Sequence, residues 1–252
     1  MKALLLNFLL LSVFASSFAQ SKGTLTYKLS IKTSFGDNEV NKIIYFDGHQ
    51  SMEYFIPKNI SSSSQQRSET EYVETRVIKI TKQPFLLKNL KEKKIILSDN
   101  IGSKVYIIND TLNNFKWKIT SEHKKILNYN CTKATLNFRG RNYIAWFTEQ
   151  IPLQFGPWKF CALPGLIIKV SDNEEKFAYE LTGVDLKTKF NLNLLKIPSQ
   201  YRDDKFLSHN DFISIYNKKV EDYAKMAKVV HTYPNGATGS GTVILPEKQE
   251  KF

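Results

Sequence analysis

The chain has 252 residues, of which 42% are hydrophobic and 13% aromatic, enough to build a substantial core without help from metal or disulfides. Its formal net charge is +12. The lysines are scattered apart from Lys91-Lys93-Lys94 and Lys124-Lys125, so the excess reads as solvated faces and gives no support to a nucleic-acid partner.

In chain order, Lys2 precedes an apolar run from Ala3 to Phe14 and the small residues of Ser17-Phe18-Ala19. That is the pattern of a signal peptide over 1–19 with cleavage before Gln20, and the run is too short for a membrane anchor. It predicts an exported protein of the periplasm or the periplasmic face of the outer membrane, or a secreted one, that does not span the membrane after cleavage. Residues 20–232 are expected to form a single β-rich domain.

From Gly23 to about Lys189 the period is two. Leu25, Tyr27, Leu29 and Ile31 alternate with polar residues, as do Phe115, Trp117 and Ile119, and later Phe177, Tyr179 and Leu181. Half-buried antiparallel strands read this way. Further strands are expected at 42–47, 51–56, 71–80, 94–98, 104–108, 131–139, 142–149 and 166–172. Turn signals stand at Asp47-Gly48, Asp99-Asn100, Asn109-Asp110, Gly140-Arg141-Asn142 and Asp172-Asn173. Residues 57–70, with serines from Ser61 to Ser64, read as a loop.

Past Pro198 the period lengthens. Ser208 and Asp211 suit a capping box, and Phe212, Tyr216, Val220, Tyr223, Met226 and Val230 recur at helical spacing, which predicts a helix near 209–230. Residues 233–252 are expected to be a flexible tail or to add an edge strand at 242–245. The fold class is therefore mainly β: a strongly curved antiparallel sheet or half-barrel packed on one C-terminal helix, with a two-sheet sandwich as the alternative.

Pro152, Pro157 and Pro164 cannot donate ladder hydrogen bonds, so 151–166 reads as a stiff connection between strands. Gly156 and Gly165 offer backbone angles closed to other residues. Two roles stand open for the loop. Phe155, Trp158, Phe160 and Leu163, with Trp146 nearby, would form a binding surface or pocket lip; alternatively the loop is a plug closing the curled sheet, which the preference of large aromatics for the core favours. An even cysteine count in an exported chain favours a Cys131–Cys161 disulfide over two free thiols.

Signatures of chemistry are sparse. His49, His123, His209 and His231 share no metal-ligand spacing, no Gly-x-Ser-x-Gly elbow is present, and phosphate-loop and dinucleotide motifs are missing. No catalytic residue, cofactor or metal is indicated; Glu149 is the carboxylate to watch.

Trp117, Asn128-Tyr129-Asn130-Cys131-Thr132-Lys133-Ala134 and Ala145-Trp146-Phe147-Thr148 occur in that order, followed by Ile151-Pro152, Gly156-Pro157 and Ala162-Leu163-Pro164-Gly165-Leu166-Ile167. This series resembles the GLPGLI family of bacterial envelope proteins, with Asn128 and Ala162 where that family usually has glycine. The resemblance implies a cell-envelope protein associated with outer-membrane receptors and supplies no catalytic residues. The structural motif it marks comprises Gly156, Pro157, Pro164, Gly165, Leu166 and Ile167. Together these features predict a non-enzymatic binding or adaptor protein that holds an apolar lipid or peptide ligand or docks to an outer-membrane receptor. The alternative is an exported hydrolase with dispersed catalytic residues, among them Glu149 or a free Cys131 or Cys161.

Overall fold

The computed structural model describes residues 22–33, 36–56, 82–112, 115–226, 230–232, 238–240, 245 and 247–251. The expected leader over 1–19, the serine-rich loop and the strand expected at 71–80 lie outside them. The period-two segments fold as β1 (Lys22–Thr33), β2 (Gly36–Asp47), β3 (Gln50–Ile56), β4 (Phe85–Asn89), β5 (Lys94–Ile101) and β6 (Lys104–Thr111). They continue as β7 (Lys118–Ile126), β8 (Tyr129–Phe138), β9 (Arg141–Thr148), β10 (Leu166–Asp172) and β11 (Phe177–Asp185). A short β12 (Phe206–Ser208) enters helix α1 (His209–Met226), after which β13 (Val230–Thr232) and β14 (Thr238–Ser240) pair with each other.

Strands β1 to β12 form one sheet in the order β12-β6-β5-β4-β3-β2-β1-β11-β10-β9-β8-β7, antiparallel throughout except for the parallel β12–β6 pair. Right-handed twist accumulates over so many strands, and the sheet curls. Asp110 on β6 bonds Arg139 at the end of β8 at 2.6 and 2.8 Å, although eight strands lie between them in the sheet. The two edges, β12 and β7, do not pair with each other, so the curl is open. This is the mainly β architecture with a C-terminal helix that the periodicity implies, and not a sandwich.

The curl encloses one core in which Leu25, Tyr27, Ile44 and Phe46 from the middle of the sheet meet Ile95, Leu136, Tyr143 and Phe147 from its wings. On the outer face, Met52, Tyr54, Phe85 and Ile107 pack with Leu195 and Tyr201 of the 186–205 segment, so β3 to β6 are covered on both sides. The hairpin at 139–140 is as expected, with φ of 47° at Arg139 and 77° at Gly140 matching the strand twist.

Several expectations need correction. Asp99-Asn100 and Asn109-Asp110 lie inside β5 and β6, and the turn between those strands falls at Gly102, with φ of 61°. Glu122-His123, which precede the basic pair Lys124-Lys125 and read in the sequence as a turn, lie within β7, which begins at Lys118, so Phe115 and Trp117 precede it. Ser208 does cap α1: its hydroxyl accepts from the Asp211 amide at 3.1 Å and donates to the Asp211 carboxylate at 2.7 Å. Phe212 is buried against Tyr106, but Val220 is 41% exposed and Val230 lies in β13, so the helix packs through its first half and stops earlier than expected. No described helix is long and apolar enough to cross a membrane.

Candidate functional site

The connection between β9 and β10 enters the open curl as a plug. Phe155, Phe160 and Leu163 are buried and Trp158 is 8% exposed, with Trp158 and Phe160 stacked edge to face at 5.1 Å. Phe155, Phe160 and Leu163 are therefore core contacts and not an exposed docking surface, while Trp158 also borders a cleft. Trp146 stands apart, half-buried, with the Lys124 ammonium 3.9 Å over its ring. Gly165 serves close approach and not a special angle: a Cβ there would lie 2.0 Å from the Thr148 carbonyl oxygen. The left-handed angles fall instead on Trp158 (φ 50°) and Ala162 (φ 69°), each a strain of about 1–2 kcal/mol held by the surroundings.

An irregular buried loop lacks ladder partners for its carbonyls, and the sheet supplies them. Lys88, fully buried on the inner face of β4, donates to the carbonyls of Gly156, Trp158 (2.7 Å) and Phe160 (3.3 Å). Burial lowers its pKa to about 8, against the opposing pull of Glu53 and Cys161. Glu53, 3% exposed on β3, accepts from the Trp158 amide at 2.6 Å and from Lys42 of β2 at 2.5 Å. Lys42, Glu53 and Lys88 thus form a polar floor on an otherwise apolar face.

Above that floor is a cleft of about 190 Å³, bounded by Lys42, Glu53, Phe55, Trp158, Phe177 and Tyr179 and, on the far side, by Glu247, Lys248 and Gln249. Burial, and next the charge of Glu53, raise the Tyr179 phenol well above its ordinary value, so it stays a hydrogen-bond donor. Each Glu53 oxygen makes one bond and keeps one lone pair. The cleft therefore offers a carboxylate acceptor, an ammonium, a phenol donor and aromatic walls around a space for one ring-sized group. It is smaller than the roughly 300–1,000 Å³ of a drug-sized site.

Beside the cleft lies an ion-pair network. Asp110 binds Lys159 at 2.8 Å and Arg139, and Glu250 binds Lys159, Arg139 at 2.8 Å and His209 at 3.1 Å. Burial pushes the Glu250 carboxyl up, but Lys159, His209 and Arg139 together hold it at about 2. Asp110, His209 and Glu250 bring ligand atoms within 4.8 Å of one another. Two protein cations already neutralise those carboxylates, so the donor set does not fit a metal. Arg141 and Asp172, both buried, pair at 3.0 Å on the neighbouring strands.

Of the other sequence candidates, Glu149, His49 and His123 are exposed and do not line the cleft, and His231 lies in β13. The expected disulfide does not form: Cys131 and Cys161 are buried free thiols. Cys131 is fixed in β8 opposite Lys124 with its thiol on the Tyr129 carbonyl, while Cys161 is fixed in the plug by its bridge to Phe155. Burial pushes the Cys161 thiol up to about 11, which keeps it protonated at neutral pH and unsuited to nucleophilic attack. Lys42, Glu53, Lys88 and Tyr179 were missed in the sequence, where both phases of β2 and β3 carry large apolar residues and hide which one faces inward.

The family model for the N-glycanase peptide, N-terminal domain, matches residues 25–211. The chain belongs to this N-glycanase N-terminal domain family. Its fold is similar to that of PNGF-II in two crystal forms, with TM-scores of 0.50 and identities of 17% and 18%. The alignments cover 79% and 80% of this chain but 34% of each PNGF-II chain, so the chain spans about a third of those structures. A search of curated proteins found no match. Membership corrects the GLPGLI assignment, which rested on the 115–168 motifs alone. It also contradicts the reading as a non-enzymatic binding or adaptor protein, since the family is named as the N-terminal domain of an N-glycanase. The hydrolase alternative is the one it favours, although neither Glu149 nor a cysteine sits at the cleft.

Proposed function

We propose that this chain serves the hydrolysis of asparagine-linked glycans, and that the cleft over Glu53 receives the sugar attached to the asparagine. The observation that carries the reading is a buried carboxylate at the base of a ring-sized, aromatic-walled cleft in an N-glycanase family member. Sugar hydroxyls bond a carboxylate and a phenol, and the apolar face of a pyranose lies against aromatic rings. Glu53 accepts from the hydroxyls or from the attacking water, Tyr179 donates, and Lys42 holds Glu53 in place. Export is part of the same proposal, supported by the leader-like pattern from Lys2 to Ala19.

Incubation with a peptide bearing an asparagine-linked glycan, read by mass spectrometry, tests it. Water adds across the side-chain amide, leaving aspartate on the peptide and a glycosylamine that departs. The expected result is this conversion by the wild-type chain and its loss in Glu53→Gln at unchanged circular dichroism. A wild-type chain that neither converts nor binds the glycopeptide would overturn the reading.

A further inference from the structure

Residues Glu247 to Lys251 cross the inner side of the curl as a strap that bends at Gln249 and Glu250, and their contacts are those of a bound peptide. The backbone is read directly: Tyr143 donates to the Gln249 carbonyl at 2.8 Å, and the Lys251 amide donates to the Arg139 carbonyl at 3.1 Å. The acidic side chains occupy cationic seats. Glu250 enters the network of Lys159, Arg139 and His209, and Glu247 meets Arg141 and Lys176. Between them, Lys248 reaches Asp99 at 2.6 Å.

The residue that meets the cleft is Gln249. Its carboxamide oxygen accepts from Tyr179 at 2.8 Å, and the residue forms part of the cleft wall. Its amide nitrogen is buried with no hydrogen-bond partner among the described residues, and the same holds for Nε of Arg141 beneath the strap. A buried donor left unpaired is costly, so an occupant that paired those groups would gain hydrogen bonds that the strap does not make among the described residues, and would compete with it. Gln249 differs from asparagine by one methylene, and the nitrogen left unpaired is the atom that carries the sugar in an N-linked glycopeptide.

We infer that the strap is a built-in pseudosubstrate. The groove under 247–251 is a binding site for a peptide with acidic side chains two residues before and one residue after its central position, with Gln249 in the position of the glycosylated asparagine and its carboxamide nitrogen in the place of the nitrogen that bears the sugar. The inference rests on the proposed function for the sugar, but the peptide groove stands on its own contacts. Substrate entry then requires the strap to leave, and the strap competes as a tethered ligand.

The test compares the 252-residue chain with its Glu247→Gln/Glu250→Gln variant, which loosens both acidic anchors. The probe is a synthetic peptide, Pro-Glu-Lys-Asn-Glu-Lys-Phe, with and without N-acetylglucosamine on its asparagine, titrated by calorimetry. Loosening the tethered competitor should raise affinity for the peptide by about tenfold or more. The sugar should add a further gain. A chain lacking 246–252 is the second variant and should bind the peptide one to one, more weakly at high salt. If the loosened and wild-type chains bind equally, or neither binds, the pseudosubstrate reading is overturned. Improved peptide binding with no gain from the sugar would keep the groove and reject the glycan assignment of the cleft.

Discussion

Replacing Lys88 with methionine keeps the length of the side chain and deletes the ammonium that holds the plug. Three loop carbonyls, at Gly156, Trp158 and Phe160, lose their donor inside the core. At about 2 kcal/mol for each buried acceptor left unpaired, the loss is roughly 6 kcal/mol. Against this, the wild-type chain bears the cost of a buried charge: a pKa lowered from 10.5 to about 8 corresponds to about 3 kcal/mol at neutral pH. The variant escapes that cost, so the net destabilisation should be about 3 kcal/mol at pH 7. The pH dependence carries a second signature. Because the folded pKa lies below the unfolded one, the unfolded chain holds the extra proton between about 8 and 10.5, and wild-type stability from this group rises with pH there. The gap between wild type and Lys88→Met should therefore widen by about 2 kcal/mol by pH 9.5, while tyrosine and cysteine titrations cancel in the difference. Urea unfolding at both pH values, followed by circular dichroism and tryptophan fluorescence, measures it. A variant within 1 kcal/mol of wild type at both values would refute the reasoning that Lys88 fixes the plug.

Glu250 predicts behaviour in acid: its carboxyl lies at about 2 in the fold against an ordinary 4.5, so it contributes stability above 4.5 that is lost as pH falls toward 2. That contribution is about 3 kcal/mol, and Glu250→Gln should flatten the acid limb of a stability–pH curve. Gly165→Ala places a Cβ against the Thr148 carbonyl and should cost about 3 kcal/mol, seen as a lowered urea midpoint. Ellman titration should find both cysteines slow in the native chain and two thiols on denaturation without reductant; zero would restore the disulfide.

Much of the sheet was legible because strands buried on one face alternate visibly, and the Ser208-Asp211 box marked the start of the helix. The short β4, with Phe85-Leu86-Leu87 in an unbroken apolar run, showed no alternation, since it is covered on both faces. The same double covering concealed the candidate site. In β2, Lys42, Ile44 and Phe46 face the curl while Ile43 and Tyr45 face the outer segment, so Lys42 passed for a solvated residue. Glu53 and Lys88 were hidden likewise, and their partners lie on a loop more than sixty residues away in sequence. The proline-rich loop was rightly placed as a connection between two strands, but its glycine at 165 serves close approach and not the special backbone angle expected.

The most direct test of the central claim is saturation-transfer NMR on a short peptide carrying asparagine-linked N-acetylglucosamine, with the strap-loosened chain. The account predicts saturation on the sugar ring protons that disappears in Glu53→Gln at preserved fold. Saturation confined to the peptide, or a sugar signal unchanged by Glu53→Gln, would contradict a glycan cleft over Glu53.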